Sequence, residues 1–473
     1  MRWHEALHPV VMQRVALLAP REELRNLLVN VADEGTVSLD LPSTDADGSA
    51  GPPPAVARLQ HLSAAGVVRP TLAPAPPDLD RCEQDGRIDL VAGEAQLELR
   101  SVAAAAQGSV CALTGWTPSV ALPHLADRLA GLGGVVVPLT RPPGVTPPTL
   151  LPDSGANRQF APLVETYATV PYADVNPAVL AGLAYLLMFG MMFADVGHGA
   201  LLVVVAIVIR LGRSRRLARL RRYWVFLAGA GLASMVFGSL YGEFFGPTDV
   251  IPVVWLAPLD HPVTLLVAAV AVGGLLLAGA YALGSVNRFR EGGWRATLYA
   301  QSGLGGGVLF LGLAVAAAAV YGDLGWLVLC GVAVTILGLV GVYVGLLVSA
   351  GGGAAGAAEA AVELFNLVVR LGSNLVSFAR LAAFGLTHAA LCWVVWSATT
   401  SLWGHGPAGA AGAAVLFLVG NAVAFALEGL VAGIQALRLE YFELFSRVFD
   451  GEGVPFRPWH VPLSTTEVSC RPG

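Results

Sequence analysis

Lysine is absent from the 473-residue sequence, and all 28 basic side chains are arginine. Beside 56 glycines and 30 prolines, that reads as a bias of the coding sequence without functional content. Charge of either sign is scarce, at 13% of residues against 55% hydrophobic, which excludes a soluble fold for the whole chain and indicates a polytopic membrane protein. A net charge of -5 with no basic block gives no footing for nucleic acid as a partner. The five cysteines (Cys82, Cys111, Cys330, Cys392, Cys470) show neither metal-ligand spacing nor a pairing pattern, so no zinc or other metal site, no cofactor and no disulfide framework is expected. A Gly-rich phosphate loop is missing too, so no ATP site is recognisable and no catalytic residue is assigned. The first forty residues mix charged and apolar positions, which does not read as a secretory leader.

The sequence divides near residue 175. Before that point charges are frequent, and "GPPPAV" and "TLAPAPPDL" interrupt the pattern as loops or linkers. "QRVALLAPREELRNLLVNVADEGTVSLDL" reads as a strand, a helix ended by glycine, and a second strand. "GSVCALTGW", "VALPHLADRLAGLGG" and "VVVPLT" repeat the strand–helix–strand order. Two such units predict a small α/β or ferredoxin-like domain over residues 1–175.

From residue 178 the chain stays apolar. Spans are predicted near 223–242, 262–286, 299–321, 324–349, 361–403 and 410–446, each at or above the ~20 residues that a bilayer helix requires. The segment 178–209 is ambiguous. As one span below a cytoplasmic first domain, it would leave "RLGRSRRLARLRR", with seven arginines, outside, against the positive-inside rule. A hairpin of two short spans turning at "ADVGHG" removes the conflict, and it places "NRFREGGWR" and the C-terminal arginines inside and "EFFGPTDVIPVVWLAPLDH" outside. The expectation is therefore a mainly α polytopic protein of about eight spans. Residues 176–450 form the transmembrane domain and 451–473 a tail, with both termini cytoplasmic.

Residues 371–427 contain one formal charge, Arg380. A cation at the bilayer centre costs about 2.5 to 3.5 kcal/mol on insertion scales, so it faces water or a partner and not lipid. Glu363, Asn366, Arg370, Ser373, Ser377, Arg380, Thr387 and His388 step by threes and fours, broken once at Phe384, as a polar stripe on a long helix. In the last span Asn421, Glu428 and Gln435 repeat at sevens, and Arg438 follows one turn on. Polar seams of this kind also serve as interhelical glue, which suffices for Ser373, Ser377 and Asn421. Packing requires hydrogen bonds but not full charges, so Arg380 and Glu428 point to a hydrated path. Asp195 and His198 fall at the predicted outer turn and read as structural. Glu243 reads as a solvated charge of the outer loop or a lining of an outer channel.

"SFARLAAFGLTHAAL" resembles the arginine-bearing helix of the membrane subunit a, or subunit I, of V-type and archaeal-type rotary ATPases. "LEGLVAGIQALRLEYFELFSRVF" is similar to the last helix of that family, "YATVPYADVNPAVLAGLAYLLMFGMMFADVGHG" to its entry into the membrane, "GSLYGEFFG" to its third span and "CALTGWTP" to the end of its cytoplasmic arm. The resemblance implies a stator subunit that forms proton or sodium half-channels in the cell membrane against a rotating ring of proteolipid subunits. Arg380 falls on the family's essential arginine, and Glu428, His388 and Arg438 on positions tied to its proton path. Ser373, Ser377, Gln435 and Glu363 join them as candidates for ion translocation. Peripheral-stalk, central-stalk and head subunits are the further partners implied, although the first domain is about half the family's size and lacks its long heptad arm.

The competing class is a free-standing secondary transporter or channel using Arg380 and Glu428. It predicts an inverted repeat, which the sequence does not display. A scaffold without translocation does not explain why Arg380, Glu428 and Arg438 are all present. The orientation is testable by labelling. A cysteine at Ser214 is expected to react with an impermeant maleimide only from the cytoplasmic side, and one at Thr248 only from outside; equal sidedness overturns the hairpin reading.

Overall fold

The structure, a computed structural model, describes residues 8–40, 53–62, 68–152, 155–212, 220–299, 303–449 and 451–464. Much of the arginine-rich loop, including Ser214, therefore lies outside the described residues. The chain forms two units, one from Pro9–Leu150 with the residues from Gly453 onward, the other from Leu151–Glu452.

The smaller unit contains, in order, β1 (Met12–Pro20), α1 (Leu24–Glu34), β2 (Ser38–Leu39), α2 (Pro54–Leu62), α3 (Leu79–Gln84), α4 (Ile88–Val102), β3 (Ala105–Gln107), β4 (Val110–Pro118), α5 (Leu122–Ala130) and β5 (Val135–Leu139). Alternation in β1 turns Val15, Leu17 and Ala19 inward, where they meet Leu27, Leu28, Val31 and Ala32 of α1. Gly35, at φ 62°, ends α1 in the left-handed conformation and returns its N–H to the Val31 carbonyl. Strand order is β2-β4-β1-β5, with β3 also on β4, and every pairing is antiparallel. The two predicted strand–helix–strand units are thus present but interleaved: β1 and β2 run parallel with β4 between them, and β4 and β5 run parallel with β1 between them. That is the split βαβ arrangement of a ferredoxin-like sheet.

The stretch after Gly453 completes this unit. Thr149 and Pro455, and Leu72 and Leu463, form isolated bridges. Trp459 donates its backbone N–H to Val37, and Val461 donates to Ala32. Trp459 (5% exposed) and Val461 (0%) enter the core, and Arg100 stacks over the Trp459 ring at 4.3 Å. Because Pro9–Leu150 and Gly453–Ser464 fold together, the chain between them crosses a membrane an even number of times.

The larger unit begins with α6 (Gly155–Glu165) and continues as α7 (Ala178–Met192), α8 (Val196–Leu211), α9 (Trp224–Tyr241), α10 (Pro262–Tyr299, broken at Gly293), α11 (Leu304–Tyr321), α12 (Gly325–Ser349), α13 (Gly353–Ser377), α14 (Ala379–Trp403) and α15 (Gly406–Leu439). Among the described residues six helical runs are long and apolar enough to cross a membrane, with α13 and α14 counted as one run, and α7 and α8 are shorter apolar helices. The chain is a multi-pass helical membrane protein with a small α/β unit. The expected single helix over 361–403 instead begins at Gly353 and is interrupted at Phe378. Phe378 is fully buried against Gly273, where a Cβ would stand 2.1 Å from its ring.

Both short helices pack on α9. Gly190 lies against Ala233 and Leu186 against Gly229, whereas Asp195 lies against Gly238 and Val203 against Gly231. The two series run in opposite senses, so α7 is parallel to α9 and α8 antiparallel to it. A Cβ on Gly231 would stand 2.6 Å from the Gly199 carbonyl oxygen, and one on Gly199 equally close to that of Gly231. Small residues let membrane helices approach this closely where no hydrophobic force drives them together.

Trp459→Ala is expected to cost the small unit about 3 to 5 kcal/mol. Hydrogen exchange at the Val461 amide should then accelerate by roughly two orders of magnitude or more; unchanged exchange would show that the tail does not contribute to that core.

Candidate functional site

Polar residues of the larger unit gather in two places on the same helices. The first is buried. Helices of 15 and 16 residues, ~22 and ~24 Å long, fall short of a ~30 Å hydrocarbon core, so the α7–α8 turn must be satisfied inside protein. Asp195 does this as the N-cap of α8. Its Oδ1 accepts from the His198 backbone N–H at 2.8 Å and its Oδ2 from the Gly246 N–H at 2.9 Å. Ser234 of α9 donates its hydroxyl to the carbonyls of Phe193 and Asp195, and the Val196 N–H reaches the Glu243 carbonyl.

His198, with 0% exposure, sits beside this cap among Phe193, Phe245 and Phe425. The ring of His388 lies 5.5 Å from that of His198 and 4.8 Å from Phe193. Nδ1 of His388 is in contact with the Glu428 carboxylate of α15, and its Nε2 is 3.9 Å from the Cys392 sulfur one turn along α14. The Glu243 side chain lies near those of His388, Asp195 and Glu428. Glu243 is 3% exposed, which corrects its reading as a solvated loop charge. The segment after α9 folds back onto α14, where a Cβ on Gly246 would lie 3.0 Å from the Cys392 carbonyl oxygen.

The second place is open. Arg380 is half-buried two residues after the Phe378 break and lines a surface depression with Gly372, Ser373, Val376, Ser377, Ala379 and Ala383. Among the described residues no carboxylate lies within ion-pair distance of it. The Ser377 hydroxyl donates to the Ser373 carbonyl. Glu443 stands near Ser377 and feels the charges of Arg380, Arg447 and Arg438.

The predicted stripe is therefore divided. Glu363 is half-buried about four turns before the Phe378 break, Arg438 is exposed, and Gln435 is half-buried with its Oε1 unpaired. Thr387 turns outward while His388 turns in, and His388–Glu428 is the pair that bridges α14 and α15. Sequence spacing missed Glu443. The series 421, 428, 435 points next to Phe442, which is 68% exposed. The helix continues as a π-turn over Glu440–Phe445, whose extra residue per turn advances the inward position by one, and Glu443 is 7% exposed.

Residues 97–257 match the profile of the V-type ATPase 116 kDa subunit family. The chain is 26% identical to the A-type ATP synthase subunit I of Thermococcus kodakarensis, over 74% of this chain and 54% of that one. It is 26% identical to the protein of the same name in Aeropyrum pernix, over 64% and 50%. A shorter stretch is 39% identical to the V-type ATP synthase subunit I 2 of Treponema pallidum, over 24% of each. Over about a third of its length the chain is thus similar to the V-type ATPase 116 kDa subunit family. It spans about half the length of the archaeal relatives it matches.

In this chain the Asp195 carboxylate takes two N–H donors on separate oxygens. Asp195→Asn supplies one acceptor and turns the other position into a donor facing a donor. A loss of about 1 to 3 kcal/mol is expected, measured as faster hydrogen exchange at the amide of Gly246 or of His198; equal protection in the variant would count against the cap.

Proposed function

We propose that this chain is the ion-translocating stator subunit of a V/A-type rotary ATPase, working against a rotating ring of small proteolipid subunits. The observation that carries the reading is Arg380: a permanent cation in an apolar helix, open to the surface through a serine-lined depression and without an ion-pair partner among the described residues. A guanidinium within ~4 to 6 Å of a ring carboxylate favours its charged form, so a carboxyl arriving protonated gives up its proton there. The attraction is transient only if the stator supplies no competing carboxylate. Arginine suits the post because it keeps its proton when poorly solvated, where an ammonium can lose it.

Glu428 and His388 form the relay on the other side of this barrier, some two turns of α14 from Arg380. In direct contact, they can hand a proton from one to the other without a large movement. Ser373, Ser377, Gln435, Arg438 and Glu363 line or flank the route. The small unit and its tail lie in the cytoplasm with both chain termini and bind the stalk that ties the stator to the ATP-hydrolysing head. The sequence shows no recognisable nucleotide-binding motif, and ion movement is coupled to ATP hydrolysis or synthesis through these partners.

Arg380→Gln is expected to abolish ATP-driven ion pumping in membrane vesicles while the complex still assembles, and Arg380→Lys to be severely impaired. Glu428→Gln, which keeps volume and loses the titratable group, should lower pumping substantially. Near-normal coupled pumping by Arg380→Gln overturns the reading.

A further inference from the structure

We propose that Asp195, His198, His388 and Cys392 form a binding site for a divalent transition-metal ion of the zinc class. One donor atom from each of the four lies within 4.8 Å of all the others, and none of the residues is more than 1% exposed. The separations are close to those of a coordination sphere. The His198 Nδ1 and Asp195 Oδ1 atoms are 3.5 Å apart, and His388 Nε2 and Cys392 Sγ 3.9 Å. Ligands at ~2.0 Å for nitrogen or oxygen and ~2.3 Å for sulfur, set tetrahedrally, lie ~3.3 to 3.5 Å from one another.

An independent observation also points to a ligand. Both ring nitrogens of His198 are buried and neither has a partner in full hydrogen-bond geometry; the polar groups nearest the ring are Asp195 Oδ1, 3.5 Å from Nδ1, and the Asn421 backbone. A buried imidazole so weakly partnered is costly unless something accepts its lone pair. The remaining donors are held as a metal site requires. His388 turns Nδ1 to the Glu428 carboxylate and leaves Nε2 toward Cys392, the carboxylate–histidine arrangement that fixes tautomer and ring orientation in metal centres. Asp195 is fixed by two backbone N–H groups, and each carboxylate oxygen keeps a lone pair.

The donors stand on rigid elements, three residues apart at the N-terminus of α8 and four apart on one face of α14. The carboxyl groups of Glu243 and Glu428 lie beside them, and Oε2 of Glu243 has no hydrogen-bond partner. Two imidazoles, a thiolate and a carboxylate make a borderline donor set that suits zinc, not the all-oxygen shells of magnesium or calcium. Ligation exchanges the S–H bond of Cys392 for a sulfur–metal bond and releases that proton to solvent, with no electron transferred. A bound ion also occupies Nε2 of His388 and so withdraws it from proton exchange. That consequence rests on the relay role proposed above; the binding itself does not.

The test uses the full chain, purified in detergent, stripped with a chelator and titrated with Co2+. One equivalent is expected, with a tetrahedral visible spectrum and a thiolate-to-cobalt charge-transfer band, both removed by added Zn2+. Cys392→Ser should abolish the charge-transfer band and weaken binding about tenfold to a hundredfold. Cys330→Ser, at an exposed position elsewhere, should leave both unchanged. X-ray absorption of the zinc-loaded parent chain provides a measurement without substitution, and one sulfur with three nitrogen or oxygen neighbours is expected. A sulfur-free shell, or stoichiometric binding that survives intact in Cys392→Ser, overturns the proposal.

Discussion

A turn between two helices too short to cross a bilayer must find all its hydrogen bonds within the protein, and the membrane unit is organised around meeting that demand. Asp195 is the fastener. Its side chain caps α8 and catches the loop after α9, while its own carbonyl is held by Ser234. Loop, cap and α9 therefore form one rigid piece, and α14 docks on it at Cys392 and His388. Weakening that carboxylate loosens the seat of every polar group gathered near it, because those groups come from four separate stretches of chain with nothing else in common.

The two polar centres obey opposite electrostatic rules. Around His388 the side chains are buried and crowded by aromatic rings, where an unanswered charge or dipole is costly, and Glu428 answers His388. Around Arg380 the surface is open and lined by small side chains, and the guanidinium is left available. Arg380 and His388 lie on one helix, eight residues apart, which at 3.6 residues per turn sets them roughly 80° apart around α14. The break at Phe378 precedes both and seats a large ring against Gly273.

Length and apolarity made the spans legible in the sequence, and alternation made the strands of the small unit legible, because both signals are local. The interleaving of the two strand–helix–strand units was not, since it depends on which strand inserts between which. Glu243 was misread for a related reason: its position after α9 says loop, but only the fold says that this loop returns into the protein. Cys392 carries no signal in a spacing pattern when its neighbours at Asp195 and His198 lie some 200 residues away in sequence. Glu443 eluded a rule of sevens because one π-turn shifts the register by a residue, and a single-residue insertion leaves no compositional trace.

The tail that returns to the small unit also sets the order in which the protein is made. Trp459 and Val461 complete a core whose other residues leave the ribosome first, and roughly 300 residues separate the two parts. At the ~5 to 20 residues per second of synthesis, the first part waits for tens of seconds with the groove at Ala32, Val37 and Leu72 uncovered. The groove closes only after every intervening span has been threaded, with the tail delivered to the side where the first part waits. An odd number of inserted spans would strand Trp459 across the bilayer from its socket, and the sheet domain would stay unfinished. Completion of the small unit thus depends on an even number of spans having been inserted before Trp459 arrives.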